Sequence, residues 1–163
     1  MPMSQLPQTP PELREALIQF SRDFNPNYFM TPCFNRKEIS IEAAKRMLQV
    51  FVRRLCEHFF GKKYMQNPLI KDFNGVVFIE KPKKELHFHI PLYVPPQIES
   101  KFKAYAEKLW KELFQGGDNQ CKMIMSDSYF RNATGYSAKD SLIPLNYENW
   151  CTLCMLYTPS SSK

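Results

Sequence analysis

The sequence predicts an α+β fold with a central antiparallel sheet and helices mainly on one face of that sheet. Two long segments carry apolar residues at helical spacing, and four short segments are rich in β-branched and aromatic residues. After a first helix, the predicted order along the chain is strand, helix, strand, strand, helix, strand. This is the order of the ferredoxin-like or RRM-like split βαβ plan.

The N-terminal part of the chain is predicted to form an arm, a helix and a strand. Residues 1–11 are rich in proline and are expected to be a flexible arm. A first helix is expected to begin at Pro11, because proline is favoured in the first turn of a helix. Asn25-Pro26 should end this helix. Residues 28–34 are the first predicted strand, with Pro32 marking an edge or a bulge near its end.

The remaining elements complete the sheet. The second helix is predicted to follow Ser40, since serine caps helix N-termini, and to run through Phe59. Residues 74–81 and 86–94 are predicted to form an antiparallel hairpin around a lysine-rich turn. A third helix is predicted over residues 98–114, and residues 121–125 are the candidate fourth strand.

Length and charge limit the possible classes of protein. A chain of 163 residues that is 44% hydrophobic is long enough for one core, so a single domain is predicted. We expect this domain to span residues 12–145, followed by a C-terminal tail over residues 146–163. The formal net charge of +6 favours a polyanionic partner such as nucleic acid. No stretch approaches the roughly 18 apolar residues that a membrane-spanning helix needs.

The cysteines indicate a reducing environment. Five cysteines are present with no secretory leader before them, which favours a cytoplasmic location. Cys151 and Cys154 form a CxxC pair, but a zinc site would need a second pair of ligands, and none has suitable spacing. We therefore expect free thiols in a frayed terminal segment.

Two histidines in the hairpin, His87 and His89, are separated by the apolar residue Phe88. Because side chains alternate along a strand, both imidazoles are expected on one face and Phe88 on the other. Glu80, near the end of the preceding strand, can reach across the hairpin to meet them. Glu85 is a second candidate carboxylate on the same face, but it lies very close to the turn.

Two imidazole nitrogens and one carboxylate oxygen would leave coordination positions free for water and phosphate oxygens. That arrangement suits phosphoryl transfer with Mg²⁺ or Mn²⁺, and Zn²⁺ would bind as well. The alternative is that His87 and His89 are ordinary core or surface residues, which is the commoner meaning of an isolated His-x-His pattern.

Tyr136 is the candidate nucleophile, because Lys139 follows at i+3 and would lie on the same face of a helix. A tyrosine is a poor nucleophile at neutral pH, and a neighbouring ammonium group helps the phenolate to form. Tyr129 is the rival nucleophile. It is expected at the end of the fourth strand, where packing or DNA contact would be its role.

Together these motifs resemble those of the HUH endonucleases, in particular the single-tyrosine initiators of rolling-circle replication. The matched motifs are Phe29-Met30-Thr31-Pro32, His87-Phe88-His89 and Tyr136-Ser137-Ala138-Lys139. The resemblance implies that Glu80 and the two histidines hold Mg²⁺ or Mn²⁺. It also implies that Tyr136 attacks a DNA phosphate, forming a 5′-phosphotyrosine link and freeing a 3′-hydroxyl, while Lys139 positions or stabilises the charged groups.

The function implied by this resemblance is sequence-specific nicking and joining of single-stranded or hairpin origin DNA, which initiates rolling-circle replication of a plasmid or phage. A transposase or relaxase of a mobile element is the alternative within the same superfamily. No second tyrosine lies four residues from Tyr136, which argues against the two-tyrosine initiators. No Walker A motif follows, so a separate helicase and polymerase are the expected partners.

DNA contacts are expected from Lys81, Lys83 and Lys84 on the hairpin turn, and from Arg36 and Thr31. A solvated charged turn is the equally common alternative. From another functional class, a non-catalytic RRM-like nucleic-acid-binding module shares the predicted strand order. The aromatic residues that such modules carry on their central strands are missing here.

Overall fold

A computed structural model describes residues 9–35, 38–80, 85–141 and 149–159. The α-helices are α1 (Pro10–Arg22), α2 (Ile41–Phe60), α3 (Pro96–Leu113), α4 (Asp127–Ser137) and α5 (Cys154–Tyr157). The strands are β1 (Tyr28–Cys33), β2 (Asn74–Glu80), β3 (His87–Tyr93), β4 (Asp118–Met123) and β5 (Trp150–Thr152). A 3₁₀ turn, Ala138–Ser141, directly follows α4. None of these described helices is both long enough and apolar enough to cross a membrane.

The five strands form one antiparallel sheet in the order β4-β1-β3-β2-β5. Together with α2 and α3, the first four strands have the split βαβ arrangement. The predicted α+β, ferredoxin-like fold class is therefore confirmed. β5 extends the sheet beyond β2, and the sequence pattern does not predict it.

The helices start and stop at capping residues. The side chain of Thr9 accepts from the backbone N–H of Glu12, whose own side chain accepts from the backbone N–H of Thr9. This capping box starts α1 at Pro10, one residue earlier than predicted. At α2 the hydroxyl of Ser40 caps the N-terminus, and Gly61 ends the helix with a φ of 86° that favours glycine.

The main core lies between one face of the sheet and the helices α2 and α3. Alternate strand residues point into it, among them Val77 and Ile79 of β2 and Phe88 and Ile90 of β3. Phe88 is completely buried. The two histidines of β3 must therefore lie on the opposite face.

A smaller apolar cluster covers part of that opposite face. Val76 and Phe78 of β2 pack there against Leu13 and Leu17 of α1 and against Ala138, which follows α4. The two longest helices thus lie on one face of the sheet, as predicted, while α1 and α4 partly cover the face that carries the histidines. This second layer supplies one wall of the candidate site.

The bounds of β4 differ from the prediction. The sequence predicts a strand over residues 121–125, whereas β4 begins at Asp118 and ends at Met123. β4 is an edge strand in which only Asn119 and Cys121 are buried. Because its other side chains are half-buried or exposed, little apolar alternation marks where it begins.

The C-terminal segment also differs from the prediction of a tail over residues 146–163. Its described part, residues 149–159, forms β5 and α5, and α5 packs against α2. Tyr157 is buried, and its hydroxyl lies 3.1 Å from the carbonyl oxygens of both Ile70 and Phe73. A strand of three residues is too short to show a period of two, so the sequence gives no sign of it.

All five cysteines are free, as predicted. Cys151 and Cys154 are half-buried in the folded C-terminal segment, which is not frayed over the residues described. Burial raises the pKa of Cys151 to about 11. This thiol is therefore protonated and unreactive at neutral pH.

Candidate metal centre

The strand register brings Glu80, His87 and His89 together. Glu80 and His87 are direct neighbours across the β2–β3 ladder. His89 lies two residues further along the same face of β3, and the intervening Phe88 points into the main core. The carboxylate and both imidazoles thus share one face of the sheet, as the alternation of side chains predicts.

These three residues form a compact group of potential ligands, called the metal group below. Oε2 of Glu80 lies 3.1 Å from Nε2 of His87 and also contacts Nε2 of His89. One ligand atom from each residue lies within 4.8 Å of the others, so the group could hold a metal ion. Glu80 is only 1% exposed. Glu85 is exposed and lies outside the group, so Glu80 is the residue that supplies the carboxylate.

The backbone as well as Glu80 orients His87. Its Nδ1 lies 2.8 Å from the carbonyl oxygen of Glu85, and because a carbonyl can only accept, Nδ1 carries a proton and donates it. A neutral ring in this tautomer turns the lone pair of Nε2 toward Oε2 of Glu80. Two such acceptors repel each other unless a proton or a metal ion lies between them. Histidine ligands of metals commonly donate their other N–H to a backbone carbonyl in this way.

Lys139 contacts the second oxygen of the carboxylate. Its Nζ, in the turn after α4, meets Oε1 of Glu80. Burial raises the pKa of the Glu80 carboxyl, but the hydrogen bonds from Lys139 and His89 and the nearby imidazoles outweigh that effect. The pKa of Glu80 is therefore lower than its ordinary value of 4.5. Glu80 is an anion at neutral pH in spite of its burial.

His89 is held in the form that binds metals. Burial lowers its pKa below the ordinary value of 6.5, and His87 and Lys139 act in the same direction, although Glu80 opposes them. A neutral imidazole is the ligand form of histidine. The Nδ1 of His89 is buried with no hydrogen-bond partner among the described residues. Its Nε2 contacts Oε2 of Glu80, and because an ionised carboxylate can only accept, the proton of the neutral ring lies on Nε2.

Acid is expected to destabilise the metal-free protein through His89. Since the pKa of His89 is lowered in the folded state, the unfolded chain binds a proton at this residue first as the pH falls. The free energy of unfolding should therefore decrease as the pH falls below about 6.5, and level off once the folded state is protonated too. Glu80 should add a further loss only below about 4.5.

Urea unfolding in EDTA at a series of pH values measures this dependence. His89→Gln should unfold with a smaller loss of stability between about pH 7.5 and pH 5.5 than the parent chain. The difference in pH dependence between the two proteins gives the contribution of His89, separate from that of the other histidines. The same slope in both proteins would contradict the assignment of a neutral, buried His89.

Tyr136 lies beside the metal group. It is in the last turn of α4 and is 57% exposed. Nζ of Lys139 lies 3.6 Å from the centre of its ring, so one ammonium group contacts both the phenol ring and the carboxylate of Glu80. Burial lowers the pKa of Lys139, but Glu80 and Tyr136 raise it by more, and the lysine keeps its charge at neutral pH.

A cleft of about 350 Å³ opens between the sheet and α4, next to the metal group. Thr31 and His89 line it on the sheet side, and Tyr129 and Tyr136 line it on the helix side. Tyr129 lies in the first turn of α4, whereas the sequence predicts it at the end of the fourth strand. The two tyrosines are seven residues apart and therefore project from the same face of the helix. Of the two, Tyr136 is the one whose ring contacts Lys139.

Two polar residues of the cleft, Lys122 and Asn132, are absent from the predicted site. Lys122 follows the buried Cys121 in β4, so alternation turns it toward the face of the histidines. Asn132 lies three residues after Tyr129 on the same face of α4. Both spacings can be read from the sequence once these two elements are known.

Contacts with α1 hold α4 over the sheet. Arg131 pairs with Glu15 at 2.9 Å, and Arg22 pairs with Asp127 at 2.5 Å. Exposed ion pairs of this kind contribute at most about 1 kcal/mol each. Phe130 is 4% exposed, and the guanidinium carbon of Arg22 lies 5.6 Å from the centre of its ring. The position of Tyr136 relative to the metal group thus depends on the packing of α1 against α4.

The predicted DNA contacts are only partly described. Thr31 is half-buried in β1 and lines the cleft. Lys81, Lys83, Lys84 and Arg36 lie outside the described residues.

No protein-family model, no curated protein and no solved structure matches this chain. The motif resemblance to the HUH endonucleases therefore stays a prediction.

Proposed function

We propose that this chain is a metal-dependent endonuclease and strand transferase of the HUH type, which acts on single-stranded DNA through a 5′-phosphotyrosine intermediate at Tyr136. The observation that supports the proposal is the contact of Lys139 with both Tyr136 and Glu80. This contact brings a phenol beside a group of ligands that suits a divalent cation.

Glu80, His87 and His89 are the residues that would hold Mg²⁺ or Mn²⁺. When bound, such a cation would polarise the scissile phosphate and offset the negative charge that develops on its oxygens. Glu80 is ionised and His89 is neutral near pH 7, so these two ligands need not release protons before they bind.

In the proposed reaction, Oη of Tyr136 attacks the phosphorus of a DNA phosphodiester. A bond forms between Oη and phosphorus, and the bond between phosphorus and the 3′-oxygen of the preceding nucleotide breaks. The phenol loses its proton and the 3′-oxygen gains one, which gives a 5′-phosphotyrosine link and a free 3′-hydroxyl. Attack of a 3′-hydroxyl on the link reverses the step and joins strands.

Lys139 has two roles in this scheme. Its ammonium group lies 3.6 Å from the centre of the Tyr136 ring and places a positive charge beside the attacking phenol. The same positive charge attracts the phosphate to the point of attack. Its contact with Glu80 fixes the lysine in that place.

Single-stranded DNA is the proposed substrate because the cleft beside Tyr136 is small. Its volume of about 350 Å³ is at the lower end of the range of small-ligand pockets. A space of this size matches a single unstacked nucleotide. The net charge of +6 favours binding of the DNA backbone.

The free 3′-hydroxyl would prime DNA synthesis, so the biological role we propose is initiation of rolling-circle replication of a plasmid or phage in the cytoplasm. Unwinding and synthesis would be carried out by a separate helicase and polymerase. A transposase or a relaxase would use the same chemical step with strand joining as the outcome.

A non-catalytic RRM-like module is the alternative from another functional class. Such modules bind single-stranded nucleic acid on a sheet face that carries stacking aromatic residues. In this chain α1 and α4 cover part of the corresponding face, and its central strands carry Glu80, His87 and His89. These features favour the nuclease over the binding module.

Covalent capture tests the proposal. The protein is incubated with Mn²⁺ and a pool of single-stranded oligonucleotides that carry a hairpin and a random segment. We expect the protein to retain a 3′-end label after denaturation, and a 5′-end label to appear on a free fragment with a 3′-hydroxyl. EDTA should prevent both products. Cleavage that leaves no DNA attached to the protein would contradict the tyrosine mechanism.

A further inference from the structure

The cleft between the sheet and α4 has an aromatic side chain on each wall. Phe29 of β1 and Tyr129 of α4 meet with ring centres 6.5 Å apart and ring planes at 77°. Both residues line the cleft, and Tyr129 is 36% exposed. Phe29 is only 5% exposed and packs edge to face against Tyr129, so Tyr129 offers the ring on which a flat ligand can stack, and Phe29 supports that ring from the sheet side.

Polar groups accompany the aromatic rings. Thr31 follows Phe29 by two residues on the same face of β1, and Asn132 follows Tyr129 by three residues on α4. Lys122 of β4 lies on the sheet side of the cleft. The side chains of Thr31, Lys122 and Asn132 make no hydrogen bond or ion pair with any other described residue. They are available to a ligand.

We propose that the cleft is a nucleobase-binding subsite for one adenine of the single-stranded DNA beside the scissile phosphate, and that Asn132 selects this base. The inference rests on the proposed function and deepens it. An asparagine amide presents a donor and an acceptor side by side, which matches N6 and N7 of adenine. Tyr129 supplies a stacking surface, and Lys122 supplies a positive charge for the neighbouring phosphate.

The position of the cleft links the base to the reaction. His89 of the metal group and Tyr136 line the same cleft. A base held there belongs to a nucleotide next to the phosphate that Tyr136 attacks. A lining of aromatic and apolar side chains with a few polar groups suits an unstacked base better than a free phosphate.

Selection from a pool of random single-stranded oligonucleotides tests the subsite without any cleavage. Tyr136→Phe protein is mixed with the pool and Mn²⁺, and the retained DNA is sequenced. We expect adenine to be enriched about tenfold at one position, and the additional change Asn132→Ala to reduce this enrichment to less than about twofold. Gln97→Ala removes an exposed amide on α3 and should keep the full enrichment.

Asn132→Asp gives a sharper readout in the same selection. A carboxylate accepts hydrogen bonds but cannot donate them, so it pairs with the amino group of cytosine. The preferred base at this position should change from adenine to cytosine. Asn132 is exposed, so both variants should fold, and an unchanged melting temperature verifies this. Tyr129→Ala should weaken binding of all sequences about tenfold with the same preferred base.

Each outcome of the selection bears on the subsite. Equal adenine enrichment with Asn132 and with Ala at this position would overturn it, and so would failure of the Tyr136→Phe protein to retain single-stranded DNA. Selection that depends on Asn132, in a chain that never forms a covalent adduct, would support the subsite and refute the tyrosine chemistry. Adduct formation without selection that depends on Asn132 would support the tyrosine chemistry and refute the subsite.

Discussion

Replacing Tyr136 by phenylalanine is expected to remove the covalent protein–DNA adduct. The substitution deletes only Oη, the atom that forms the bond to phosphorus, and keeps the ring that packs beside Lys139. Adduct formation, measured on denaturing gels with DNA labelled at its 3′ end, should fall by at least about a thousandfold. Affinity for single-stranded DNA should change by less than about twofold, because the phenol hydroxyl is one contact among many.

Two further tyrosines serve as comparisons. Tyr129→Phe tests the rival nucleophile on the same face of α4. Tyr105→Phe alters a tyrosine on α3, which lies on the face of the sheet opposite the metal group. The ring of Tyr105 packs against the main core and stacks on His58. Both variants should form the adduct at the rate of the parent chain. An adduct that persists in Tyr136→Phe and disappears in Tyr129→Phe would move the nucleophile to the first turn of α4.

The metal group is predictable from the sequence because a hairpin leaves few arrangements open. A period of two puts His87 and His89 on one face, and the antiparallel pairing of β2 with β3 puts Glu80 opposite His87. The choice between Glu80 and Glu85 needs the structure. The ladder ends at the pair of Glu80 and His87, so Glu85 precedes β3 and only its carbonyl oxygen reaches His87.

The wall formed by α4 is not predictable in the same way. Its position depends on ion pairs to α1 such as Arg22 with Asp127 and Arg131 with Glu15, which join residues 105 and 116 positions apart in the chain. No motif or periodicity encodes such a pairing. The motif that contains Tyr136 can therefore be recognised, while the cleft beside it, with Asn132, becomes visible only in the folded chain.

The helices and strands also differ in how well the sequence predicts them. The long helices α2 and α3 lie within two residues of their predicted bounds, because many turns of amphipathic pattern define them. The edge strand β4 has few buried side chains, and β5 has only three residues. Pairing with β1 and β2, rather than local sequence, creates these two strands.

His87→Ala is expected to abolish metal-dependent cleavage while leaving DNA binding largely intact. The substitution removes one of three ligand atoms and keeps Glu80 and His89 in place. The affinity for Mn²⁺, measured by titration calorimetry, should fall by at least about a hundredfold, and adduct formation should fall with it. Binding of single-stranded DNA in EDTA should change little, because the metal group takes no part in it under those conditions.

His58→Ala is the matched control, since His58 is the third histidine of the chain and lies exposed on α2. This variant should bind Mn²⁺ with the affinity of the parent chain and should form the adduct to the same extent. The glutamine of His87→Gln fills more of the space of the imidazole than the alanine of His87→Ala does. Comparing the two variants therefore separates loss of a ligand from loss of packing. If both His87 variants keep their Mn²⁺ affinity and lose cleavage and DNA binding to the same extent, His87 has a structural role. The carboxylate and the two imidazoles would then not be a metal site, and the tyrosine chemistry would need another source of charge at the phosphate.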